Sequence, residues 1–187
     1  MAQKRKNWSG LMSGFKASNL VFLDESGCNT DMKRRYAYSL GGSRAVDSAP
    51  LSKPKNTTIL SSIQLDGTLH YTTFSGGTTV EKFKRYLETD LLPHLNGDSI
   101  LIMDNMKSHH AKAVKNLLDS SGIRYIYLPP YSPDLNPIEK LWSKVKALLR
   151  KFKARTLDAL PNAIQNAFHS VTVSDCSGWF RFCGYAL

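Results

Sequence analysis

The chain is poor in cysteine, short of acids and free of any long apolar run. Its three cysteines, Cys28, Cys176 and Cys183, are odd in number and far from zinc-ligand spacing. That excludes a metal knuckle and a disulfide scaffold and fits a reducing cytosol. No stretch approaches the roughly eighteen apolar residues of a membrane span, and no apolar segment follows the basic N-terminus as secretion would need. A soluble, cytoplasmic protein with no membrane partner is therefore expected. Repeats and low-complexity tracts are missing too, and 42% hydrophobic residues in a chain of 187 suffice for one packed domain. Acids are the scarcer charge: 15 Asp and Glu against 25 Lys and Arg leave a formal net charge of +10. The basic residues recur at Lys4 to Lys6, Lys33 to Arg35, Lys53 to Lys55, Lys82 to Arg85 and Lys144 to Arg155. Any one cluster is an ordinary solvated surface, but their sum points to a polyanionic partner.

What is present is an ordered series of elements. "LVFLDES" (20–26) reads as a buried strand and "RRYAYSL" (34–40) as an alternating one, followed by a proline-containing loop. "TTILSSIQLDG" and "LHYTTFSGG" form a hairpin across Asp66-Gly67. A helix with Thr78 or Thr79 as its cap follows, then strand "SILIMDN", helix "HHAKAVKNLLDSSG", strand "IRYIYLPP" and three further helices. Antiparallel strands followed by strand-helix alternation imply a mixed sheet flanked by helices, an α/β layer fold.

Half of the eight prolines fall in "LPPYSPDLNPIEKLW" (128–142). Pro129, Pro130 and Pro133 keep the backbone extended or turned, whereas Pro137 suits the first helical position, with Asn136 as N-cap. From there Ile138, Leu141, Trp142, Val145, Leu148, Leu149 and Phe152 follow the period of an amphipathic helix. Glu139 in the first turn has a purely structural explanation, since Asn136 with an acid three residues on resembles a capping box. Asp24 and Asp104 each end an apolar strand, which is where open α/β sheets bind ligands. Side by side, those strand ends would stand about 5 Å apart, and carboxylates that close need a bound cation. A helix fixed by prolines over that edge would add Glu139, completing a carboxylate site suited to magnesium or manganese.

With "FLDES", "MDNMKSHHA" and "LPPYSPDLNPIEKLW", and 34 residues between Asp104 and Glu139, the chain resembles the catalytic domain of mariner-type DDE transposases of the bacterial insertion-sequence branch. The resemblance implies a basic extension over residues 1–19 and, over 20–187, an RNase H-like domain with a mixed five-stranded sheet. In that domain Asp24, Asp104 and Glu139 would bind two Mg²⁺ or Mn²⁺ ions. The implied reaction is cutting of double-stranded DNA at element ends and joining of the 3′-hydroxyls to target DNA, by a homodimer, in a bacterial cytoplasm at the nucleoid. Asn105 and His109 match the family's "DNxxxH" and are expected to support the metal site or contact DNA; for Asn105, capping the next helix is an equal alternative. Lys146 and Arg150, one and two turns past Glu139, are candidate phosphate contacts. Glu25 faces the other side of its strand and is not assigned to metal. His70, His94, His110 and His169 have no partner spacing, and Trp142 reads as core. Relatives place helix-turn-helix modules before this domain, and about 20 residues leave no room for one, so the chain is expected to be either the second half of a transposase whose N-terminal half comes from a separate or frameshifted reading frame, or a truncated copy. The competing readings are a cellular RNase H-like nuclease and a non-catalytic DNA-binding fragment.

Overall fold

The computed structural model describes residues 2–34, 36–48 and 55–185, without the side chains of residues 2–4 and 6. The expected basic clusters at Lys4 to Lys6, at Arg35 and at Lys53 thus fall wholly or partly outside the described residues. Five strands make one sheet: β1 (Leu20–Cys28), β2 (Thr57–Ile63), β3 (Leu69–Ser75), β4 (Ile100–Met103) and β5 (Arg124–Tyr127), in the spatial order β3-β2-β1-β4-β5. The first three run antiparallel, and β4 and β5 lie parallel to β1. The hairpin turns where expected: Gly67 has φ of +90°, and the Asp66 side chain accepts from the Thr68 N–H at 2.9 Å.

Among the described residues six α-helices cover the two faces: α1 (Ala2–Met12), α2 (Val80–Tyr86), α3 (Lys112–Ser121), α4 (Ile138–Phe152), α5 (Ala159–His169) and α6 (Val173–Phe182). Alternation along β1 feeds two separate cores. Leu20 and Phe22 pack with residues of α1, α4, α5 and α6, while Val21 and Leu23 pack with Phe83, Tyr86, Val114 and Leu118 of α2 and α3. Thr79 caps α2, accepting from the Lys82 N–H at 3.3 Å, and the chain continues through a wider turn and a short 3₁₀ stretch to His94. No described helix is long and apolar enough to cross a membrane.

Three expectations require correction. Residues 36–48 form no strand; Tyr36 and Tyr38 are fully exposed. Among the described residues their alternation has no partner strand, although β3 and β5 each leave an outer edge of the sheet unpaired. Helix α3 begins at Lys112 rather than at the histidine pair, since residues 106–111 first turn back on themselves through the His109 N–H to the Met106 carbonyl at 3.0 Å. Helix α1 had no counterpart in the sequence reading, yet Trp8 and Met12, one turn apart, are buried in the same core as Phe22.

Candidate active site

In the β1/β4 pairing Leu23 lies opposite Met103, and one residue further on come Asp24 and Asp104. Strand parity then separates neighbouring acids. Asp24 takes the face of Leu20 and Phe22, where the Trp142 indole N–H of α4 donates to its Oδ2 at 3.1 Å. Glu25 takes the opposite face and approaches His109, Oε2 to Nε2 at 3.6 Å. The other ring nitrogen of His109 is 2.8 Å from Asp104 Oδ1. His109 is fully buried, stacked on Phe83 with centroids 4.2 Å apart, so it bridges Asp104 and Glu25 from beneath the sheet edge.

Glu139 arrives by a stiffened route. The Asn105 amide donates to the Leu128 carbonyl at 2.6 Å, tying the end of β4 to the exit of β5; it does not cap α3, which has no side-chain cap. After Pro129 and Pro130 a 3₁₀ turn (Pro133–Leu135) leads to Asn136 in extended conformation and Pro137 with helical angles. Pro137, not Asn136, stands in the N-cap position, and the Asn136 side-chain oxygen before it is buried without a hydrogen-bond partner and caps nothing. The capping-box explanation of Glu139 therefore fails, and the helix start is set by Pro137. Asp24, Asp104 and Glu139 line one open cavity of about 430 Å³.

Burial pushes the Asp24 carboxyl up to about 7, and the nearby charges of Glu139 and Asp104 push the same way, against a backbone hydrogen bond and the Trp142 indole. Asp104 is also partly desolvated, but bonds from His109 and from the Met106 N–H at 2.9 Å hold it below the usual carboxylate range. Burial opposes a charge on His109, yet its bond to Asp104 and the Glu25 carboxylate 3.6 Å away raise it to about 9. Among the described residues no three such side chains stand close enough to ligate one ion as they are. Two acids are held by protein donors and the third reaches in from solvent, so a cation would have to draw them together. The donor set, three carboxylates sharing one field, fits a hard divalent ion.

The sequence profile of the DDE superfamily endonucleases matches residues 19–161. The chain belongs to that family. Its fold is the RNase H-like fold of the family's catalytic domains: 95% of the chain superposes on a pre-cleavage Mos1 transpososome with a TM-score of 0.79 at 20% identity, covering 58% of that chain. A Mos1 paired-end complex with Mn gives 0.78 at 22% identity, over 57% of its length. The isolated Mos1 catalytic domain gives 0.71 at 17% identity, 95% of this chain covering 86% of that one. The Tc1 transposase of Caenorhabditis elegans is 27% identical over 97 residues, half of this chain and 36% of the relative. The chain thus spans little more than half the length of the transpososome chains, and the Tc1 match little more than a third of that relative.

The remaining expected residues of this family member lie apart from the acid cavity. Lys146 is near enough to Cys28 to act on its thiol, and Arg150 lines a second, basic cavity with Arg34, Lys151 and Lys153. Sequence reasoning missed two roles, the indole of Trp142 on Asp24 and Glu25 behind His109. The first had a signal, since Trp142 lies three residues after Glu139 and so on the same side of α4. Of the other histidines, His70 stacks on His94 at 4.5 Å and His110 on Tyr127 at 4.1 Å.

Proposed function

We propose that this chain is the catalytic part of a DNA transposase, cutting strands at element ends and joining the 3′-hydroxyls to target DNA. The observation that carries the reading is the meeting of Asp24 on β1, Asp104 after β4 and Glu139 at the head of α4 in one cavity. Two bound Mg²⁺ or Mn²⁺ ions would supply the Lewis acidity that activates an oxygen nucleophile and stabilises the leaving oxygen of a phosphodiester. The three carboxylates would hold them, and Mos1 complexes with Mn and with Mg supply the precedent. Around those ligands the protein's own groups do the positioning. Trp142 orients Asp24, the buried His109 orients Asp104, and Asn105 fixes the spacing between the ends of β4 and β5. The net charge of +10 supplies the attraction to double-stranded DNA, with Lys146 and Arg150 as candidate phosphate contacts. The active assembly is taken as a homodimer, as two ends must be cut and joined together. Recognition of those ends is assigned to a DNA-binding segment outside these 187 residues, on this polypeptide or on a separate one.

The test is nicking of supercoiled plasmid by the purified chain with Mn²⁺. Weak, sequence-independent nicking is expected, lost in Asp104→Asn while circular dichroism and melting show that variant folded. Equal nicking by Asp104→Asn, or a wild-type chain that binds DNA without ever cutting it, overturns the catalytic reading.

A further inference from the structure

The neighbouring acids Asp24 and Glu25 divide between the two faces of the sheet, and only Asp24 lines the acid cavity. Glu25 lies on the face of Val21 and Leu23, opposite Leu60 of β2, in the core built with α2 and α3. A carboxylate among apolar residues costs free energy unless it is partnered, so a core selected for stability alone would carry an apolar residue at this position. Glu25 Oε2 and His109 Nε2 are both buried without a hydrogen-bond partner among the described residues, and they stand 3.6 Å from each other. Each faces the other.

His109 has little other freedom. Phe83 covers its ring with centroids 4.2 Å apart, and the Tyr127 hydroxyl donates to the His109 carbonyl at 2.9 Å. The ring plane and the backbone are thereby fixed, and what remains open is how far the ring leans toward Asp104 within that plane. At that end Nδ1 is 2.8 Å from Asp104 Oδ1, the same oxygen that accepts from the Met106 N–H at 2.9 Å. Protein donors therefore occupy Oδ1 and leave Oδ2 to the cavity. A ring held at Nε2 preserves that division. A ring released there can lean away, and Asp104, which is partly exposed, is then free to turn.

We propose that Glu25 is a positioning residue of the metal site: acting through His109, it holds Asp104 with Oδ2 toward the cavity. The proposal rests on the metal-dependent reading above and adds to it a residue that touches neither ion nor DNA. Strand β1 then supplies one ligand on one face of the sheet and, from the next residue, the anchor of a second ligand on the other face.

Titration with Mn²⁺, followed by electron paramagnetic resonance of the free ion, tests it, with melting of the metal-free proteins recorded alongside. Glu25→Gln keeps the volume and an acceptor oxygen for His109, whereas Glu25→Met keeps the volume alone. Glu25→Gln is expected to bind Mn²⁺ within about threefold of wild type and Glu25→Met about tenfold more weakly, the loss typical when the support behind a metal ligand is removed. Glu25→Asp, which retains the charge but withdraws the carboxylate from Nε2, carries the same expected loss and decides the matter if Glu25→Met does not fold. Because the effect passes through the imidazole, neither substitution should weaken binding further in a His109→Gln background. A residue that merely filled space would change the melting temperature and leave the Mn²⁺ affinity of the folded protein where it was. Wild-type affinity in Glu25→Met or Glu25→Asp, an equal loss in Glu25→Gln, or losses that add fully to that of His109→Gln each overturns the proposal. Asp104→Asn in the same titration separates the two readings. Binding lost in Asp104→Asn but unchanged in Glu25→Met removes the role of Glu25 alone, and a wild type that takes up no Mn²⁺ removes the metal site and that role together.

Discussion

Asp24 sits under two opposed demands. To hold a cation as proposed it would have to ionise, yet it is nearly buried and faces two other acids, so without a cation it keeps its proton to about pH 7. The indole of Trp142 offsets part of this cost. The sign of the consequence is definite. The folded state binds a proton on Asp24 between its ordinary value of 3.8 and about 7, where the unfolded chain does not. This contribution to stability is therefore complete below about pH 4, is lost as pH rises to about 7, and stays lost above, amounting to on the order of 4 kcal/mol. Urea midpoints of the metal-free protein should show that decline against Asp24→Asn, which removes it. At pH 8, Mg²⁺ or Mn²⁺ should restore wild type and leave the variant much less changed. A wild-type curve parallel to that of Asp24→Asn from pH 4 to 8 would refute the coupling.

Elements differ in what starts them. Helix α6 has a complete capping box: Thr172 accepts from the Asp175 N–H at 3.1 Å, and Asp175 accepts in return from the Thr172 N–H at 2.8 Å while also pairing with Lys144 of α4 at 2.5 Å. Thr172→Ala should cost about 1 kcal/mol, read as a melting temperature lower by about 2–4 °C, with nicking unchanged. Helix α4 has no side-chain cap and depends on Pro137 instead. Starts and turns of this kind were legible in the sequence because their chemistry is local: Pro137, Thr79 and the Asp66-Gly67 turn each act within a few residues. Residues 34–40 misled because alternation describes the two sides of a ribbon and says nothing about whether the chain carries the segment to a free edge. The placement of Asp24 and Asp104 at strand ends and of Glu139 at a helix start was readable, but Trp142 looked like core because its hydrogen bond runs to a residue 118 positions away.

At the scale of the whole molecule the two ends of the chain meet behind the site. The Trp8 indole N–H donates to the Tyr185 hydroxyl at 3.2 Å, and that hydroxyl donates to the Leu135 carbonyl at 2.6 Å, in the short turn that delivers Glu139. The Tyr185 ring packs on Phe22 with centroids 5.0 Å apart. Nothing in residues 2–12 announces this, because the helix buries few apolar residues and its partner lies 177 positions further on. Trp8→Ala should destabilise the protein by about 3–5 kcal/mol in urea denaturation, a loss expected of a core aromatic and far above that of a surface position. A cost under about 1 kcal/mol would show that α1 is dispensable to the fold. The strict alternation of β1 also sets a genetic limit. Gain or loss of one codon between positions 20 and 23 would invert the ribbon, turning Asp24 toward the imidazole beneath and offering its neighbour to the indole above. The smallest in-frame change of length would thus silence the protein more surely than most changes of letter.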